Sequence, residues 1–180
     1  MLKCKFALCS LIIAIAFAWF AGLPPASAQD SELSRKTLAR LPGVYVLVEE
    51  LQPNITKYDR YLKKAGLSRV RLKENVEKRL RAGGIRTLSR EEWLKTRGQP
   101  VLYLNVNSHE NEKYWFAYDV TLELQQVVCM EAHPSVRTLA DTWSLNSTGV
   151  VHIGNLDGIY RETERLVDRF IAAWRTANQR

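Results

Sequence analysis

Hydrophobic and polar positions repeat with two different periods along residues 44–178, and each period predicts its own kind of element. The strand period is clearest over residues 114–130, where apolar side chains hold every second position and only Gln126 interrupts them. This alternation is typical of a strand with one buried and one wetter face. Weaker runs of the same kind predict further strands at residues 44–50, 101–107 and 138–145.

The helical period appears in two long stretches. Ser68 is a suitable N-cap for a helix whose apolar stripe repeats every four residues and which Gly83-Gly84 ends. The stripe consists of Leu72, Val76 and Leu80. A longer amphipathic helix is predicted from Asn155 to about Ala177. The Ser-x-x-Glu pattern at Ser89 predicts a short helix over residues 90–96.

The remaining segments predict connections and one short edge strand. We expect a long connection at residues 54–67, a polar turn at 108–113, a loop at 149–154 and an edge strand at 85–88. The element order predicts an α/β fold of the α+β type. We expect a two-layer sandwich, with a mainly antiparallel sheet and both main helices packed on the apolar face of residues 114–128.

The first 28 residues predict a secretory signal. Lys3 and Lys5 precede an apolar run at residues 6–20, two prolines follow, and the triplet 26–28 (Ala-Ser-Ala) forms a cleavage site. We expect cleavage after Ala28 and a periplasmic or secreted protein of 152 residues without a transmembrane anchor. The alternative is an uncleaved anchor, because the apolar stretch approaches the length that spans a bilayer. Residues 29–42 then form a polar, loose lead-in segment to a single α/β domain at 43–178.

Charge is distributed unevenly along the chain. The net charge of +7 falls to +5 after cleavage, while residues 57–97 carry fourteen basic and five acidic residues. Six basic residues surround the apolar stripe of the first long helix: Arg69, Arg71, Lys73, Lys78, Arg79 and Arg81. They are either a solvated helix face or a binding patch. In an exported protein, the partner that fits such a patch is an envelope protein or an anionic envelope surface, not nucleic acid.

Reactive side chains are few. Cys129 is the single cysteine after cleavage, so no internal disulfide is expected, and its outward position offers a route to a homodimer. Cys129 and His133 would form a thiol-dependent enzyme only if the histidine lay within hydrogen-bond reach, and we favour a structural thiol instead. The same pair is too small a set for zinc. We therefore assign no catalytic residue, no metal site and no cofactor.

Aromatic side chains suggest a second surface. Tyr103 and Trp115 are predicted on the wetter face of the sheet, where exposed aromatic residues can mark a partner site. The alternative is that the lead-in segment covers them. The pattern leaves open which face Trp143 takes.

Several runs resemble a group of small exported bacterial α/β proteins with no assigned function. They are GLSRVRLKENVEKRLRAGGI, PVLYLNVN, YDVTLELQQVV, DTWS and LVDRFIAAWRTAN, and the resemblance extends from Val44 onward. The element order also resembles the amino-terminal domain of TolB, which implies a docking module without catalysis. We therefore expect an exported periplasmic, non-catalytic binding or assembly module. The alternatives are the thiol-dependent enzyme and a carrier of an apolar or amphipathic ligand held between the sheet and the Trp174 helix.

Overall fold

The structure, a computed structural model, describes residues 30–179, so the predicted signal lies outside the described residues. In this part of the chain, four strands form one open sheet: β1 Tyr45–Val48, β2 Val101–Glu112, β3 Trp115–Cys129 and β4 Arg137–His152. Six α-helices of the described residues accompany it: α1 Glu32–Arg35, α2 Pro53–Thr56, α3 Asp59–Ala65, α4 Arg69–Ala82, α5 Arg90–Lys95 and α6 Asp157–Asn178. Single turns of 3-10 helix lie at Lys36–Leu38 and Ile153–Asn155.

The strands lie in the order β1-β2-β3-β4. β2, β3 and β4 are antiparallel neighbours, whereas β1 pairs with β2 in parallel. The parallel pair needs a long crossover, and α2 to α5 supply it. The expected α+β fold with a mainly antiparallel sheet is confirmed.

The core lies between one face of the sheet and the two long helices, α4 and α6. The alternating apolar positions of β3 are fully buried on this face: Phe116, Val120, Leu122 and Leu124. The predicted stripe of α4 is buried against the same cluster. Each such side chain contributes about 1.5–3 kcal/mol to folding through its removal from water.

Local signals place the ends of α4 where the sequence predicts them. The Ser68 hydroxyl accepts a hydrogen bond from the Arg71 amide. At the other end the Ile85 amide donates to the Leu80 carbonyl at 2.9 Å, and Gly84 takes a left-handed φ of +89°. The capping box at Ser89 is also present and starts α5.

The prediction of a long connection at residues 54–67 is wrong, because the structure has α2 and α3 there. Each helix is shorter than two full turns, so no apolar period is readable within it. Tertiary contacts hold both of them: Ile55 and Leu62 are buried in the core.

The predictions of a polar turn at residues 108–113 and of a loop at 149–154 are also wrong. β2 continues to Glu112 and turns at Lys113 and Tyr114, the latter with a φ of +72°, while β4 continues to His152. Backbone hydrogen bonds hold these strand ends and form regardless of side-chain type. The polar composition of the two segments therefore does not predict where the strands end. The edge strand expected at 85–88 is reduced to one bridge, between Val44 and Thr87.

The lead-in segment is not loose, and it does not cover the aromatic residues of the wetter face. Leu38 is fully buried, and Asp30 accepts a hydrogen bond from the Trp143 indole at 2.8 Å. Trp143 is itself fully buried on the helix side of the sheet, with its ring 5.1 Å from that of Phe170. The segment therefore packs on the helix side and does not cover Tyr103 or Trp115.

Candidate functional site

A cleft of about 420 Å³ lies between α3, the start of α4 and the chain that follows β1. Its lining includes the apolar side chains Leu51, Leu62 and Leu67, and the last two are buried. Ligand pockets in proteins typically measure about 300–1,000 Å³ and are mainly apolar, with a few polar groups. The cleft therefore has the size and apolar floor that a small organic ligand needs.

Charged side chains surround the apolar floor of the cleft. Arg69 forms an ion pair with Glu50 and donates a second hydrogen bond to the Val48 carbonyl. Lys63 pairs with Asp59 at 2.6 Å. Arg71 has no acidic partner among residues 30–179. The Arg71 guanidinium is thus a cation at the cleft that remains available to an anion.

The turn from α3 to α4 shapes the cleft. Gly66 ends α3 with a φ of +67°, and the Arg71 guanidinium packs so closely that a Cβ at Gly66 would lie 2.5 Å from Nη1. Only glycine allows both this backbone and this contact. The α4 helix then starts at Arg69 without an acidic side chain in its first turn. A helix N-terminus in this state favours a negative charge.

The six basic residues predicted on α4 do not form one unpaired surface. Two of them, Arg69 and Arg71, line the cleft. Lys73 and Arg81 both pair with Glu77, at 3.8 and 3.6 Å. Lys78 has no acidic partner in the described part of the chain.

Arg79 has a structural role. It joins α4 to α6 through Glu164 and Asp168, at 2.8 Å in each case, and these contacts raise its pKa. Since three of the six cations are paired with acids on the helical layer, their attraction for an external anionic surface is reduced.

Tyr103 and Trp115 both lie on the wetter face of the sheet, but the structure does not bring them together. Tyr103 stands opposite Glu123 on β3, whereas Trp115 lies eight residues before Glu123, about 27 Å away along the strand. Tyr103 donates a hydrogen bond to Glu49 at 2.9 Å, and burial, with this bond second, raises its pKa to about 12. Trp115 is 46% exposed and packs on the His152 ring.

Cys129 and His133 lie at the exposed end of the β3–β4 hairpin. Cys129 is a free, exposed thiol, and within residues 30–179 no hydrogen bond joins it to His133. A nucleophilic cysteine needs a base within reach, and this pair lacks that contact. Nor does the described part of the chain contain three or more His, Cys, Asp or Glu side chains grouped to hold a metal ion.

Comparison with protein-family models gives no match, and comparison with curated proteins gives no significant similarity. Between residues 30 and 179, no helix is both long and apolar enough to cross a membrane. Arg69 and Arg71, which the sequence names as candidates, line the cleft, whereas the lining residues Leu51, Leu62 and Gly66 are not among the candidates. The usable signal is Gly66 between two apolar residues, which marks a helix end.

Proposed function

We propose that the protein acts outside the cytoplasm, after signal cleavage, as a binding module without catalysis. Its ligand is an amphipathic organic anion that occupies the cleft between α3 and α4. The observation that carries the proposal is the combination, at one cleft, of an apolar floor with the Arg71 guanidinium, which has no acidic partner within residues 30–179.

The two parts of such a ligand fit the two parts of the cleft. An apolar tail gains about 0.8 kcal/mol for each CH₂ group that it buries on Leu51, Leu62 and Leu67. An anionic head group gains a charge-assisted hydrogen bond from Arg71 and the positive end of the α4 dipole. At about 0.3 kcal/mol per atom, a ligand of about 20 atoms would bind with a Kd of tens of micromolar.

The cleft is a better place for a carried ligand than the space between the sheet and the Trp174 helix. That space is occupied by Trp143 and Phe170, which are both fully buried. Interiors packed in this way leave no room for a ligand without rearrangement of the core.

Titration calorimetry with decanoate, decanol and acetate, each below its aggregation concentration, tests the ligand class. We expect decanoate to bind, acetate to fail because it lacks a tail, and decanol to bind about tenfold more weakly because it lacks the charge. Equal binding of decanoate and decanol contradicts the role of Arg71.

A pair of charge reversals locates the site. Arg71→Glu should weaken decanoate binding by about tenfold or more. Lys64→Glu is the matched control, since Lys64 is an exposed cation that does not line the cleft. Equal losses in the two variants would contradict the cleft as the site, provided that circular dichroism shows both variants folded.

The place of action has its own test. The intact mass of the protein recovered from the periplasm or the medium should correspond to a chain that begins at Gln29. A mass that includes residues 1–28 would contradict cleavage and favour the anchor.

A further inference from the structure

The β3–β4 hairpin extends past the rest of the sheet. β2 begins at Val101, which pairs with Gln125, so the residues of β3 beyond Gln125 have β4 as their one strand partner in the described structure. The hairpin carries three exposed apolar side chains: Met130 at 45%, Val136 at 45% and Leu139 at 51%. A two-stranded ribbon of this kind is only marginally stable in water, and an additional strand would stabilise it.

Hydrogen bonds show which backbone groups of β4 are directed outward. The Met130 amide donates to the Val136 carbonyl at 3.2 Å, whereas the Val127 amide donates away from β4, to the Gly98 carbonyl at 2.8 Å. In an antiparallel pair, adjacent residues alternate between the two sides of the strand. It follows that Arg137, Leu139 and Asp141 direct their amides and carbonyls to the outer side of β4. That side is an edge of the sheet, because β4 ends the strand order of the described residues.

We propose that β4 pairs with β4 of a second copy of this chain, antiparallel and centred on Leu139. In this register Arg137 lies opposite the partner's Asp141, and Asp141 lies opposite the partner's Arg137. The two Leu139 side chains meet at the twofold axis. The two four-stranded sheets become one sheet of eight strands. This interface is independent of the cleft between α3 and α4.

Charge complementarity selects this partner. Arg137 and Asp141 are both exposed, and neither has an ion-pair partner within residues 30–179. Asp141 lies instead near Glu123, whose pKa is raised by burial and by this like charge. The partner's Arg137 would bring an opposite charge to this acidic pair. A cross-strand pair of opposite charges stabilises a sheet, whereas like charges directly opposite destabilise it.

The register is specific. A shift of two residues places Leu139 opposite a charged residue and removes both charge pairs, and a shift of one reverses the faces of all side chains. The bulge between Leu124 and Gln125 in the pairing of β3 with β4 limits the regular part of the edge to the residues before Thr142.

The proposed dimer is not the thiol-linked homodimer that the sequence suggests. Cys129 lies on β3, opposite Arg137, so two Cys129 residues would be three strand spacings apart, or about 14 Å sideways. A disulfide requires Cα atoms within about 7 Å. The dimer should therefore persist in a reducing agent and in Cys129→Ser.

Sedimentation equilibrium of the mature chain in a reducing agent tests the interface. We expect a concentration-dependent dimer. Asp141→Arg should weaken it by about tenfold or more, since two like-charge contacts replace two opposite-charge contacts. The double variant Arg137→Asp/Asp141→Arg restores the opposite charges and should restore the dimer. Glu131→Arg, an exposed reversal in the hairpin turn, is the matched control and should have no effect.

A crosslink tests the register. In the Cys129→Ser background, Leu139→Cys places two thiols at the twofold axis, where opposite Cα atoms are about 5.5 Å apart and can be bridged. Val150→Cys, 69% exposed on the same strand but outside the register, is the control and should remain uncrosslinked. A monomer at all concentrations, a dimer that Asp141→Arg leaves unchanged, or equal crosslinking of the two cysteine variants would overturn the proposal.

Discussion

The two faces of the sheet differ in how completely their side chains are covered. On the helix side Trp143 is fully buried, packs edge-to-face against Phe170 and donates a hydrogen bond from its indole to Asp30. On the wetter face Trp115 is nearly half exposed. The same residue type is thus part of the core on one face and partly exposed on the other. Burial and hydrogen bonding, not residue type, therefore decide how much each tryptophan contributes to the stability of the fold.

The largest expected effect contrasts the two tryptophans. Trp143→Ala should lower the free energy of unfolding by about 3–5 kcal/mol, because it leaves a cavity in the core. Trp115→Ala should change it by less than about 1 kcal/mol, since nearly half of the residue is already exposed to water. Urea denaturation of both variants measures the difference. Similar losses of unfolding free energy in the two variants would show that the wetter face contributes as much to folding as the helix side.

The anchor of the lead-in segment should have the next largest effect. Asp30 has only 5% of its side chain exposed and accepts hydrogen bonds from Trp143 and Arg35, and the Arg35 contact lowers its pKa. Asp30→Ala leaves the buried indole N–H without a partner and should cost about 1–3 kcal/mol in the free energy of unfolding. The control is Glu32→Ala, an exposed acid of the same segment. Hydrogen exchange should rise at Leu38 in the first variant and not in the control.

Two carboxyl groups of the sheet should give pH effects of opposite sign. The pKa of Glu110 is lowered to about 2, first by Lys57 and then by Tyr58, whereas burial raises the pKa of Glu123. The Glu110 contribution to stability is present above its unfolded pKa of about 4.5 and is lost as the pH falls toward 2. The Glu123 contribution is present below its unfolded pKa and is lost as the pH rises through its folded value.

Thermal unfolding from pH 2 to pH 7 separates these contributions. Glu110→Gln should flatten the loss of stability between pH 4.5 and pH 2, because the carboxylate that makes the ion pair is gone. Glu123→Gln should give the smallest effect, a slight gain in Tm at pH 7, since a neutral amide replaces a partly desolvated charge. A loss of Tm at pH 7 in Glu123→Gln would contradict the expected sign.

Local patterns were enough to predict much of the fold. The N-cap, the apolar stripe and the terminating glycine of α4 lie within twenty residues. Each of them determines the conformation of residues close to it along the chain, so the helix can be predicted from the sequence. The parity of β3 predicts its buried face in the same way. The short helices α2 and α3 and the true lengths of the hairpins were missed, because tertiary packing and backbone pairing decide them.

The candidate site was predictable only in part. Arg69 and Arg71 stand out as cations near a helix start, but the cleft exists because α3 and the chain after β1 meet them. The ion pair of Arg79 with Glu164 joins residues 85 positions apart. No local sequence pattern therefore predicts which basic side chains form ion pairs in the folded chain.

The sequence by itself determined the periods of the strands and long helices, the caps of α4 and α5, the basic middle of the chain and the single cysteine of residues 30–179. These depend on neighbours along the chain, where spacing and chemistry are readable directly. Within residues 30–179, tertiary structure alone decided where the lead-in segment packs, which face Trp143 takes, which arginines have an acidic partner and that β4 forms an edge. Each of these is a contact between distant segments, and its energy depends on burial and pairing that exist only after the chain has folded.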